Sequence, residues 1–114
     1  MTAKQETFNR VIGGLLKQGC QSKDVYDQCM YRTADGRKCA AGMLIPDADY
    51  SPELEGIGVD CSPDSDNPIS VLLERDGHNL ELVKQLQIIH DNTDPACWLN
   101  EFRKCAATHG ILWS

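Results

Sequence analysis

Six cysteines and three histidines give this 114-residue chain most of its scope for chemistry. Cys39 follows an Asp35-Gly36 turn signal and opens Ala40-Ala41-Gly42-Met43-Leu44, a run that suits a short, tightly packed helix. A thiol at a helix N-terminus is stabilised as thiolate. His90-Asp91, at the end of another expected helix, offers a base and a carboxylate to orient it. Cys39, His90 and Asp91 are therefore the nucleophile, base and orienter of an alternative reading, a cysteine-dependent hydrolase or transferase. The plainer reading makes Cys39 a small buried hydrophobe and His90 a locally bonded side chain, because free cysteine is among the most buried residue types.

A second donor set suits zinc. Cys105 and His109 are four apart on one helix face, and Cys97 lies two turns earlier. Cys20, Cys29 and Cys39 could add ligands. Against this stand the lack of any Cys-x-x-Cys or His-x-x-x-His pair and the ease with which core thiols and a helix-end histidine explain the same residues. A zinc-stabilised interaction module is thus a further alternative, and no cofactor is expected.

The third feature is electrostatic. Asp47, Asp49, Glu53, Glu55, Asp60, Asp64 and Asp66 fall in a stretch with no Lys or Arg between Lys38 and Arg75. Carboxylates without local counter-ions can dock on a basic surface of another protein. They can also be a loop kept soluble by its charge. Asp60, Asp64 and Asp66 do not have EF-hand spacing, which argues against a calcium loop. Tyr31-Arg32 and Arg37-Lys38 could form a small basic patch, but neighbouring acids are their simpler partners. The net charge of −6 disfavours direct binding to nucleic acid. No Walker loop, Gly-x-Gly-x-x-Gly, Gly-x-Ser-x-Gly or His-Glu-x-x-His motif occurs.

The elements that must position these residues are mostly helical. Phe8, Val11, Ile12, Leu15 and Leu16 repeat at i, i+3, i+4, i+7 and i+8, after a Thr2/Gln5 capping-box spacing and before Gly19. Gly13-Gly14 inside this helix lowers its propensity by roughly 2 kcal/mol against two alanines, which close approach of another backbone would explain. Val25 and Tyr26 are anchors of a mixed stretch. Met30-Tyr31-Arg32 and Arg37-Lys38-Cys39 flank the Asp35-Gly36 turn as a short hairpin. Pro46 stops the small-residue run, and residues 47–68 form an acidic loop in which Ser51 could cap one helical turn at Pro52-Glu53-Leu54-Glu55. Asn67-Pro68, Asn79 and Asp94-Pro95 then open three helices. Their apolar faces are Ile69, Leu72 and Leu73; Leu82, Val83, Leu86 and Ile89; and Trp98, Leu99, Phe102, Cys105 and Ala106. Gly77 and Gly110 end the first and last, and Ile111, Leu112 and Trp113 fold back on the core.

The expectation is a mainly α, single small domain spanning residues 1–114, with four or five helices and one short β-hairpin. No segment is apolar enough to cross a bilayer, and the polar N-terminus does not read as a signal peptide. Reduced thiols in a cytoplasmic setting follow.

Cys29-Met30-Tyr31-Arg32, the Asp35-Gly36 turn, Lys38-Cys39-Ala40-Ala41-Gly42-Met43-Leu44-Ile45-Pro46-Asp47, Tyr50, Glu55-Gly56 and Leu86-Gln87-Ile88-Ile89-His90-Asp91 together resemble a family of small proteins encoded in bacteriophage and bacterial genomes. These pieces cover about a third of the chain. The resemblance implies no activity. The stretch from Ile57 to Pro68 resembles an extension to that pattern. Physically the pieces can form one unit, with Cys29 and Tyr31 packed on Cys39 and Leu44, and His90 reaching back to a hairpin carbonyl. The leading reading is a small acidic, non-enzymatic binding protein, phage-encoded, that acts in the host cytoplasm by docking on and inhibiting a basic surface of a host or defence protein, with no membrane partner.

Overall fold

The computed structural model describes residues 3–23, 29–57 and 66–111. Thr2, Val25, Tyr26, Asp60, Asp64, Leu112 and Trp113, named above as a cap, anchors, docking acids or core, lie outside the described residues.

Four α-helices carry the fold: α1 (Ala3–Gln18), α2 (Pro68–Arg75), α3 (Leu80–Asn92) and α4 (Trp98–Thr108), with 3₁₀ turns at Gly42–Leu44, Pro52–Leu54 and Pro95–Cys97. The caps are those the side chains dictate. Asn67 Oδ1 accepts from the N–H groups of Ile69 and Ser70 at 2.9 and 3.2 Å, and Asn79 Oδ1 from that of Leu82 at 2.9 Å. Asp94 caps the short Pro95–Cys97 turn, and α4 proper begins one step later, at Trp98.

α3 is the centre of the bundle, packing on α1, α2 and α4. Its Leu82, Val83 and Leu86 are buried with Phe8, Val11 and Leu15 of α1, Leu73 of α2, and Trp98 and Phe102 of α4, in a single apolar cluster. Two stripe residues fall outside it: Leu16 is 41% exposed and Leu99 47%. No helix among the described residues is long and apolar enough to cross a membrane.

The expected hairpin is not formed. Among the described residues there is no strand, only single bridges between Lys23 and Cys29 and between Arg32 and Lys38. The Asp35-Gly36 turn itself is present: Thr33 N–H donates to the Arg37 carbonyl at 2.9 Å, and Arg37 N–H to Thr33 Oγ1 at 2.9 Å. The next pair is only half made: Cys39 N–H donates to the Tyr31 carbonyl at 3.4 Å, but the groups for the return bond are taken. Tyr31 and Arg32 donate their N–H groups to the Glu55 carboxylate at 2.8 and 3.1 Å, while the Cys39 carbonyl accepts from Met43 N–H at 3.0 Å.

The helix expected after Cys39 is only the Gly42–Leu44 turn, which packs on α1. Gly42 is needed for close approach: a Cβ there would overlap the Tyr31 carbonyl oxygen and stand 3.0 Å from its carbon. On α1, a Cβ at Gly14 would meet only the flexible Met43 side chain, and one at Gly13 nothing within 4 Å. The glycine pair thus does not admit another backbone.

Two substitutions test this packing by denaturant unfolding. Gly42→Ala is expected to destabilise the fold by at least about 2 kcal/mol, since backbone must move to admit the methyl group. Gly13→Ala is expected to stabilise it by roughly 0.5–1 kcal/mol through helix propensity alone.

Candidate functional site

The site begins with a buried histidine. His90 follows Ile89 at the inner edge of the last turn of α3, is fully buried, and stacks on Trp98 with ring centroids 5.8 Å apart. Its Nε2 accepts the Ser22 backbone N–H at 3.0 Å. That assigns the ring proton to Nδ1, which donates to Asp91 Oδ1 at 2.7 Å. The chain after α1 is thereby tied to the end of α3. Gln21 adds a bond from Nε2 to the His90 carbonyl at 2.8 Å, and Ser22 Oγ donates to the Met30 carbonyl at 2.6 Å. His90 does not reach the expected hairpin carbonyl, because its Nε2 accepts from an amide nearer α1.

Asp91 gathers the next layer. Gln87, one turn earlier on α3, donates from Nε2 to Asp91 Oδ1 at 2.7 Å and accepts the Ala41 N–H on its Oε1 at 2.9 Å. The Cys29 thiol also bonds Asp91. Burial pushes the Asp91 carboxyl up, but bonds from His90, Cys29 and Gln87 outweigh it and hold the group below the usual carboxylate range. Beside these groups lies a cleft of about 220 Å³, lined by Cys29, Tyr31, Cys39, Ile57, Gln87 and Asp91 among others. The Tyr31 hydroxyl donates to the Ile57 carbonyl, which ties down one wall.

Cys39 lines this cleft but is not a nucleophile paired with His90. It is buried; its sulfur accepts from Gly42 N–H at 3.4 Å, and burial pushes the thiol up to about 12, with the nearby Asp91 charge adding to the rise. Both His90 nitrogens are committed elsewhere, so the imidazole has no lone pair for a thiol proton. The expected helix-terminus activation is missing because the following helix is a single 3₁₀ turn.

Cys97, Cys105 and His109 are not brought together as a metal site. Cys97 is exposed and Cys105 buried, while His109 meets Lys4 Nζ at 3.4 Å through Nδ1 and Gln85 Oε1 at 2.8 Å through Nε2. Among the described residues, three such donors converge within 4.8 Å only at Cys29, His90 and Asp91. That set fits a metal poorly. Ligation through Nδ1 would move the ring proton to Nε2, where it would face the Ser22 N–H donor.

The acidic residues divide. Asp47 pairs with Arg32 at 2.8 Å, and Asp49 with Arg75 at 2.8 Å, so these two have counter-ions that the sequence places far away or on the other side of Pro46. Glu55 is structural: besides the two backbone donors it accepts the Tyr50 hydroxyl at 2.6 Å. Glu53 and Asp66 are exposed and unpaired by Lys or Arg among the described residues. The two arginines of the small basic patch are likewise engaged within the molecule. Arg37 binds Asp35 at 3.1 Å and the carbonyls of Gln21 and Lys23 at 2.9 and 3.0 Å, and Arg32 lies 4.6 Å over the Tyr50 ring.

Sequence reasoning missed Ser22, Gln87, the anchoring role of Glu55 and the meeting of Cys29 with Asp91. Nothing in the spacing of Cys29, Glu55, Gln87 and His90-Asp91 along the chain shows that they meet in space. No protein-family model, curated protein sequence or solved structure matches the chain.

Alkylation and pH test this arrangement. At pH 7.5, iodoacetamide is expected to label Cys29 and to spare Cys39 in the folded protein, read by peptide mass spectrometry. The unfolded Cys39 thiol would ionise near pH 9 and the folded one near 12, so stability is intact below about 9 and falls above it, by on the order of 1 kcal/mol per pH unit. Cys39→Ala should flatten this alkaline slope in urea titrations. Chelator treatment should leave the melting temperature of the purified protein unchanged.

Proposed function

We propose that this is a small non-catalytic binding protein that docks an acidic face on a basic surface of another protein. The observation that carries the reading is the pair of exposed carboxylates, Glu53 and Asp66, that have no Lys or Arg partner among the described residues of a chain with net charge −6. All eleven Lys and Arg residues lie within the described segments, so these two acids are not short of candidates; they are left over. Asp47 is offset by Arg32, while Asp49 shares Arg75 with Asp76, so neither stands without a counter-ion. Asp60 and Asp64, outside the described residues, fall between Glu53 and Asp66 in the chain and add two further negative charges there.

The groups that would support the rival cysteine-dependent enzyme are internally committed, as the buried Cys39 and doubly bonded His90 indicate. The narrower reading, that the protein is phage-encoded and inhibits a host or defence protein in the host cytoplasm, rests on the sequence resemblance and on this charge pattern.

The test is capture of partner from bacterial lysate at low and high salt, with wild-type protein and a Glu53→Lys/Asp66→Lys variant of matched melting temperature. Capture is expected to fall at least about tenfold in the variant and to weaken between 50 and 300 mM salt. Capture indifferent to both charge reversal and salt would overturn the acidic-docking reading.

A further inference from the structure

The cleft beside Asp91 holds a charge that the fold does not neutralise with a cation. Asp91 is 28% exposed in its side chain and bonded by His90, Gln87 and Cys29, none of which is a Lys or Arg. Every Lys and Arg of the chain lies in the described segments, and none is ion-paired with it. A half-buried carboxylate in this position is complementary to a cation arriving from outside.

Size and lining decide which cation. A volume of about 220 Å³ is several times that of a water molecule, about 30 Å³ in the liquid. It is below the roughly 300–1,000 Å³ of pockets that hold drug-sized ligands. It suits one extended side chain. Met30, Tyr31 and Ile57 offer apolar wall for an alkyl stem, and Asp91 and Gln87 place polar groups at one end. An anion is excluded by the carboxylate and the absence of any lining Lys or Arg. A metal ion is disfavoured by the Ser22 N–H that fixes the His90 proton on Nδ1.

We propose that this cleft receives a single Arg or Lys side chain of a docked partner protein, with Asp91 as its counter-ion and the Tyr31–Ile57 wall against its stem. The inference rests on the acidic-docking reading and adds to it a specific anchoring point. An anchor of this kind, a basic side chain in a pocket, is where binding energy concentrates in protein interfaces.

The probes are agmatine, a capped Gly-Arg-Gly peptide and its citrulline counterpart, titrated into the full-length protein by calorimetry or NMR. Agmatine and the Arg peptide are expected to bind weakly, in the millimolar range, with the citrulline peptide at least about tenfold weaker and Asp91→Asn abolishing the difference. The asparagine can still accept from His90 and Gln87, and its fold is checked by melting temperature. Should that variant not fold, wild-type Cys29 supplies the readout: agmatine is expected to slow its alkylation by iodoacetamide at least about threefold, where equal sodium chloride does not. Binding of agmatine but not of the Arg peptide would overturn the partner-side-chain assignment in favour of a free small cation. Equal binding of Arg and citrulline peptides, or no binding with no protection of Cys29, would overturn the site altogether. Failure here is separable from failure of the docking reading, since Glu53→Lys/Asp66→Lys leaves the cleft intact. Partner capture lost in that variant but kept in Asp91→Asn would sink the anchor and keep the docking face; the opposite result would do the reverse.

Discussion

The interaction on which the rest depends is the double commitment of His90. A buried imidazole must satisfy both nitrogens or lose the free energy of desolvating them. Here one nitrogen takes an amide from the chain that follows α1, and the other gives its proton to Asp91. The consequence runs in two directions. Towards α1 it fixes Ser22, whose hydroxyl holds Met30 and so sets where Cys29 and Tyr31 begin. Towards solvent it keeps Asp91 ionised and orients it into the cleft. The same bonds that make the histidine a structural anchor remove it from catalysis.

The carboxylates follow a related logic. In a chain this acidic, each negative group is either spent on the fold or left for a partner. Glu55 is spent on two backbone amides and a tyrosine hydroxyl, and Asp47 and Asp49 on arginines. Exposed ion pairs of this sort contribute little stability, but they change where the outward field of the molecule lies. Within the described part of residues 47–66, Glu53 and Asp66 are the exposed carboxylates left without a Lys or Arg partner. Asp91, like Glu55, is held by hydrogen-bond donors that are neither Lys nor Arg, but it alone of these carboxylates lines the cleft.

What was legible in the sequence was local. The repeat of Phe8, Val11, Ile12 and Leu15 is sufficient to place a buried face, and Asn67, Asn79 and Asp94 cap where their side chains can reach the next amides. What was not legible depended on contacts between distant segments. The alternation around Asp35-Gly36 reads as a hairpin until Glu55, about twenty residues on, takes the Tyr31 amide that would complete the next pair. The lack of cations near Asp47 and Asp49 in the chain says nothing of Arg32 and Arg75 in space. Cys39 reads as an activated thiol only if a full helix follows; Gly42, pressed on the Tyr31 carbonyl, leaves one turn. His90 and Asp91 were singled out for the right elements, yet the sulfur that meets them belongs to Cys29.

The Glu55 carboxylate has one more effect. An extended segment whose amides are unclaimed is an invitation to a neighbouring molecule, which can add its own backbone alongside and start a growing intermolecular sheet. By holding the amides of Tyr31 and Arg32, a single side chain closes that edge to a second copy. That backbone is thereby guarded against pairing with a second copy where it borders the cleft.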